Sequence, residues 1–143
     1  DLRSVLLAKH AQHVVLIHFP IALFISGTLI DWYARLRKQP GLVSVAYINI
    51  TIAAFSVLPV IATGLLAWHF ALDDQKLKGT LLLHLLTAAV ATILILLSWW
   101  LQWRSHRFTS SEPATPRLLI ETVGVLAIGL TAHLGGYLSG VNL

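Results

Sequence analysis

The residues able to do chemistry in this chain are few. It has seven histidines and six carboxylates, and neither cysteine nor methionine. Without thiols there are no disulfides, cysteine zinc sites, iron–sulfur clusters or covalently attached c-type haem. Without methionine there is no thioether axial ligand. What remains is imidazole, which binds haem iron, zinc, copper and non-haem iron and titrates near neutral pH. The chemistry to expect is therefore metal or haem ligation first and proton relay second.

The elements that must hold these histidines are apolar. Of 143 residues, 57% are hydrophobic and 11% charged, with a mean hydropathy of +0.78. A soluble domain carries roughly 25% charge, so an ordinary soluble globule and a disordered chain are excluded. The net charge of +4 is small and dispersed, which argues against a nucleic-acid partner. A spanning helix needs about 20 mostly apolar residues, and four segments qualify, at roughly 13–33, 42–72, 80–103 and 118–138. The expected fold is all-α, a four-helix transmembrane up-and-down bundle with residues 1–143 as a single membrane domain. Short loops make neighbouring helices antiparallel, and Ala53, Ala54, Ala62, Gly64, Gly124, Gly129, Gly135 and Gly136 allow close packing. Pro20 and Pro59 mark expected kinks. The stretch TSSEPATP at 109–116 reads as a loop, and no repeat is evident in the sequence. The first twelve residues lack a signal-peptide plan, while the missing initiator Met suggests processing or trimming.

Loop charge sets the expected orientation. The first and third loops carry Arg35, Arg37, Lys38, Arg104, Arg107 and Arg117. The other side carries Arg3, Lys9, Lys76 and Lys78, diluted by Asp73 and Asp74. The positive-inside rule places both termini and the second loop outside. Asp31 with Arg35 and Arg117 with Glu121 read as i,i+4 ion pairs at the inner interface. Trp99, Trp100 and Trp103 read as an interfacial belt.

With about 1.5 Å of rise per residue, five histidines fall in the outer third although the helices alternate in direction. His13 opens the first span and His18 lies five residues further in. His69 ends the second, His84 lies four residues into the third, and His133 lies five from the end of the fourth. His10 and His106 lie outside the spans. Ionisable groups within spans are costly and mark functional sites. The span carboxylates lie at the other end, so an all-histidine set fits low-spin haem b, held noncovalently, as one or two haems. His18 with His84, on diagonal helices at matched depth, is the first expected axial pair. His69 with His133 is the other diagonal pair. His13 and His18 are about 140° apart around a helix, so His13 could serve a different haem. A second haem would take His133 with His13 or His69, with Gly135 and Gly136 giving a macrocycle room. A histidine-lined aqueous vestibule and a titrating relay are the competing readings.

The run HVVLIHFPIAL resembles the signature of a bacterial membrane family, domain of unknown function 2231. The matching residues are His13, His18, Phe19 and Pro20, then Asp31, His84 and His133-Leu134-Gly135-Gly136. The chain departs from that pattern at Val14, where the family commonly has Pro. It departs again at Trp68 and His69, where the family tends to have an acid. The resemblance implies a four-span fold and a haem-binding or redox-linked membrane module associated with cytochromes.

The expected function is that of a b-type cytochrome subunit. It would carry electrons between the quinone pool or a membrane donor and a periplasmic-side cytochrome or oxidoreductase, as part of a larger redox complex in the lipid bilayer. The alternatives are a non-catalytic anchor subunit and a membrane protein with histidine-ligated zinc, copper or iron.

Overall fold

A computed structural model describes residues 11–71, 76–108 and 114–140, apart from the side chains of residues 11, 71 and 108. His10, Arg3, Lys9, Asp73, Asp74 and most of the 109–116 loop lie outside the described residues. The described chain is helical: α1 (Ala11–Leu16), α2 (His18–Leu36), α3 (Pro40–Ala71), α4 (Gly79–Phe108) and α5 (Thr115–Leu138). Four stretches are long and apolar enough to cross a membrane: Gln12–Leu36, Pro40–Phe70, Gly79–Arg107 and Thr115–Leu138. Large apolar side chains such as Phe55, Leu58, Ile93 and Leu126 cover the outside, as a surface in contact with lipid requires.

The spans form an up-and-down bundle. α2 packs chiefly on α3 and α4 chiefly on α5, while α3–α4 and α2–α5 contacts close the ring. The first and third spans are therefore diagonal, as are the second and fourth. Pro20 breaks the first span at Ile17, which separates α1 from α2. Proline has no N–H, and its ring crowds the carbonyl four residues back, here that of Leu16. Pro59, by contrast, leaves α3 continuous.

The helix ends differ from the sequence expectation. α4 runs on to Phe108, taking in Arg104 and Arg107. These two extend over Trp100 and Trp103, with guanidinium-to-ring distances of 5.7 and 6.0 Å, so their charge stays at the surface while the backbone stays helical. α5 starts at Thr115 with Pro116 in its first turn, a position where the missing N–H costs nothing. Arg117 is thus a helical and buried residue, and not the loop charge that the orientation argument counted. Trp99 is half-buried, packing against the core cluster and edge-on to the exposed Phe55 at 5.6 Å.

The packed core exposes a repeat that the sequence conceals. Buried positions recur 71 residues on: Pro20 and Ala91, Phe24 and Ile95, Gly27 and Ser98, Asp31 and Gln102, Ala46 and Arg117, Ile50 and Glu121, Ala53 and Gly124, Val57 and Ile128. The contacts recur as well. Thr51 donates to the Tyr47 carbonyl and Thr122 to that of Leu118, at 2.7 and 2.8 Å. The bundle is two equivalent helix hairpins, related by a pseudo-two-fold axis along the spans, an arrangement of parallel repeats.

Packing is tightest where small residues meet large ones across helices. A Cβ on Gly27 would lie 2.7 Å from Ile50 Cγ1, and one on Gly124 would lie 2.8 Å from the Phe24 ring. Gly27→Ala and Gly124→Ala should each destabilise by about 1–3 kcal/mol, the usual cost of overpacking. Thermal unfolding in detergent checks this. An unchanged midpoint for both variants would mean that the four helices are not packed as described.

Candidate functional site

Two sites emerge, one at each end of the bundle. The first is a pair of histidines. Among the five expected ligands, only His13 and His84 are half-buried; His18, His69 and His133 are exposed. His13 Nδ1 lies 3.3 Å from Thr63 Oγ1. His84 Nδ1 lies 3.1 Å from the Thr131 carbonyl. The two histidines are equivalent under the 71-residue repeat. Both imidazoles are within electrostatic reach of each other across the diagonal.

These hydrogen bonds fix the chemistry. A carbonyl oxygen only accepts, so Nδ1 of His84 carries the hydrogen. The Thr63 hydroxyl donates to the Pro59 carbonyl at 2.8 Å, so it too accepts from His13. Each neutral imidazole is then held as the Nδ1–H tautomer, with the lone pair on Nε2, the form in which histidine binds a metal. Gly64 and Gly135 make room for the rings. A Cβ on either would lie 3.0 or 3.1 Å from the imidazole Cε1 of His13 or His84.

Of the expected pair, His84 is half-buried and His18 is exposed; the half-buried histidine on the first span is His13. His18 is exposed and its Nδ1 donates to the Val14 carbonyl at 2.7 Å, within its own helix turn. The 140° between His13 and His18 allows only one of them to face inward, and His13 takes that place. His69 stacks edge-on against Phe70 with centroids 4.6 Å apart. His133 is exposed on α5, and Gly135 receives His84 instead of making space beside His133. His69 and His133, although diagonal, are not turned toward each other in the interior.

Around His13 and His84 the bundle is loosely filled. No described residue beyond the layer of Pro20, Val57, Ala91 and Ile128 toward the histidine end is fully buried. Every buried side chain lies in that layer or closer to the opposite end. Among the described residues no group of three or more His, Asp or Glu is placed to hold a bare metal ion.

The second site occupies the opposite end, and the sequence showed only its local parts. The Asp31–Arg35 and Arg117–Glu121 pairs exist, at 3.3 and 3.6 Å. They are not interfacial, however: Asp31 and Glu121 are fully buried and Arg117 nearly so. Arg117 also bonds Asp31 across helices. Gln102 donates to Glu121 Oε1 at 2.8 Å, and Ser98 and Gln102 are themselves fully buried. Gln102, Ser98 and Thr28 carried no signal in the sequence beyond being polar residues inside apolar runs. This is where the two hairpins stop being alike. Arg117 and Glu121 stand where the first hairpin has Ala46 and Ile50, and Asp31 stands where the second has Gln102.

Four apolar spans in two equivalent hairpins, an inward imidazole pair at one end and a buried ion network at the other define a four-span integral membrane protein. Within that class, the chain belongs to the family described as a predicted membrane protein, DUF2231, which it matches over residues 9–141. No curated protein and no solved structure matches the chain.

Proposed function

We propose that this protein is a b-type cytochrome subunit that binds a single haem through His13 and His84. The observation that carries this reading is the pair of Nδ1–H tautomers, each with its Nε2 lone pair, on diagonal helices at equivalent positions. A haem bound there supplies one-electron oxidation and reduction. The protein's own part is to hold both imidazoles neutral and oriented, through the Thr131 carbonyl and the Thr63 hydroxyl. One haem is the expected count, because His69 and His133 do not form a second inward pair.

In this reading electrons pass between the quinone pool or another membrane donor and a redox partner at the histidine end, a cytochrome or oxidoreductase of a larger complex. That end faces the periplasm of a bacterial inner membrane. Arg35, Arg37, Lys38, Arg104 and Arg107 gather at the opposite end, against Arg3, Lys9, Lys76 and Lys78 at the histidine end, and by the positive-inside rule that excess of one favours a cytoplasmic opposite end. The absence of native cysteine gives a clean test. Lys38→Cys and Lys76→Cys should react with a membrane-impermeant thiol reagent from opposite sides, Lys76→Cys from outside. Labelling of both from the same side would reject this topology.

The deciding experiment is absorption spectroscopy of the protein purified from haem-replete cells. Soret and α bands of a low-spin haem, with one haem per chain by pyridine haemochrome, are expected. Purified protein that carries no haem and takes up none would overturn the reading in favour of an anchor subunit.

A further inference from the structure

The buried ion network does not account for all its polar atoms. Thr28 Oγ1, Ser98 Oγ, Gln102 Oε1 and Glu121 Oε2 have no hydrogen-bond partner, although all four residues are at most 3% exposed. They come from three helices and share one layer. Thr28 is one turn from Asp31 on α2, and Ser98 is one turn from Gln102 on α4, each on the same helix face as its neighbour.

The two hydroxyls stand apart from others in the bundle. Thr51, Thr63, Thr87, Thr122 and Thr131 each donate to a carbonyl of the preceding turn, the usual way to satisfy a hydroxyl in an apolar helix. Thr28 and Ser98 do not. The layer thus contains two donors, the hydroxyls, and two acceptors, Gln102 Oε1 and Glu121 Oε2, that do not reach one another. A buried polar group left this way costs about 1–3 kcal/mol. The small molecule that both donates and accepts is water, and a buried water typically makes about three such bonds.

We propose that this layer is an internal water site, and that with Glu121 as its acid it forms a proton-exchanging centre in the charged half of the bundle. Water bridges the Thr28 and Ser98 hydroxyls to Gln102 Oε1 and Glu121 Oε2. A proton arriving along this water is taken by Glu121 Oε2, and the carboxylate becomes a neutral acid. On release it returns to the water, so nothing is oxidised and the balance is one proton in and one out. The charged groups facing Glu121 are Asp31 and Arg35 from α2 and Arg117 from its own helix. From α4 it meets the neutral Gln102, and the equivalent layer of α3 offers only Ala46 and Ile50. The site is independent of the haem reading, since no residue is shared with the histidine end.

Infrared spectroscopy of the protein in phosphatidylethanolamine–phosphatidylglycerol vesicles tests this. At mildly acidic pH a carbonyl band of a protonated carboxylic acid is expected, shifting when H2O is replaced by D2O. Glu121→Gln should lose that band. The double variant Thr28→Val with Ser98→Ala preserves size and removes the two hydroxyls. It should keep the band but slow its deuterium shift severalfold. The proposal is overturned if the protein shows no such band, if the band survives in Glu121→Gln, or if the double variant exchanges as fast as the parent.

Discussion

A His84→Ala variant, produced with haem in ample supply, should be recovered as a folded four-helix protein that has lost the low-spin haem spectrum. His13→Ala should match it. Removing even an outer-shell partner of a metal ligand costs about 10–100-fold in affinity, so removing an axial ligand should cost at least that. The two losses should be close in size, because the rings occupy equivalent positions and each rests on a glycine, Gly64 or Gly135. His18→Ala, His69→Ala and His133→Ala should retain one haem per chain, since these side chains are exposed. Thr63→Val falls between, because it removes the acceptor from His13 Nδ1 and leaves the imidazole itself. A haem lost from His18→Ala and kept in His13→Ala would reverse the assignment of the inward ligand.

Arg117→Ala should be the most destabilising single change at the charged end. Arg117 is 6% exposed and serves two carboxylates that have no exposure at all. Without it Asp31 keeps Arg35, which is one-third exposed, and a long 3.5 Å contact from the Gln102 amide, and Glu121 keeps only the Gln102 amide. Breaking a buried ion pair by removing one partner costs about 3–5 kcal/mol, because a charge is left without compensation. Removing the charges together should restore much of that loss. The triple variant Asp31→Asn, Arg117→Gln, Glu121→Gln is therefore expected to unfold well above Arg117→Ala in a thermal scan. If Arg117→Ala unfolds with the parent, the network is solvated and not buried.

The four spans and the pairwise order of the bundle were legible because lipid-facing helices need long apolar runs, which nothing else in the chain imitates. Their ends were not. An arginine at the membrane surface can stay on a helix by lying along an aromatic ring, as Arg104 does on Trp100, so charge alone does not mark a terminus. Depth placed the histidines at one end correctly, but depth carries no rotation. Which of His13 and His18 faces inward depends on the rotation of the first span about its own axis, which spacing along the chain does not give. The ion network was legible only as i,i+4 pairs. Its cross-helix bonds, Arg117 to Asp31 and Gln102 to Glu121, join residues 86 and 19 positions apart, and no local spacing rule reaches them. The repeat was hidden for another reason. The aligned hairpins share only His13 and His84, Leu23 and Leu94, Trp32 and Trp103, Thr51 and Thr122, and Gly64 and Gly135 among the described residues. Burial is conserved between the halves where identity is not, since any residue of suitable size and environment can fill a core position.

The two-fold arrangement within one chain has a consequence for what the bundle can become. In a dimer of identical hairpins every substitution is made twice, and the two copies land facing each other across the axis. An arginine at the Arg117 position would then meet its own like charge, and a glutamate at the Glu121 position would do the same. Covalent joining of the halves removes that constraint. One hairpin can acquire Arg117 and Glu121 while the other keeps Ala46 and Ile50, and opposite charges can be set against each other where symmetry would have forced repulsion. The histidine end retains the symmetric plan, which suits a ligand that wants two like donors. The charged end abandons it, setting Arg117 of one hairpin against Asp31 of the other.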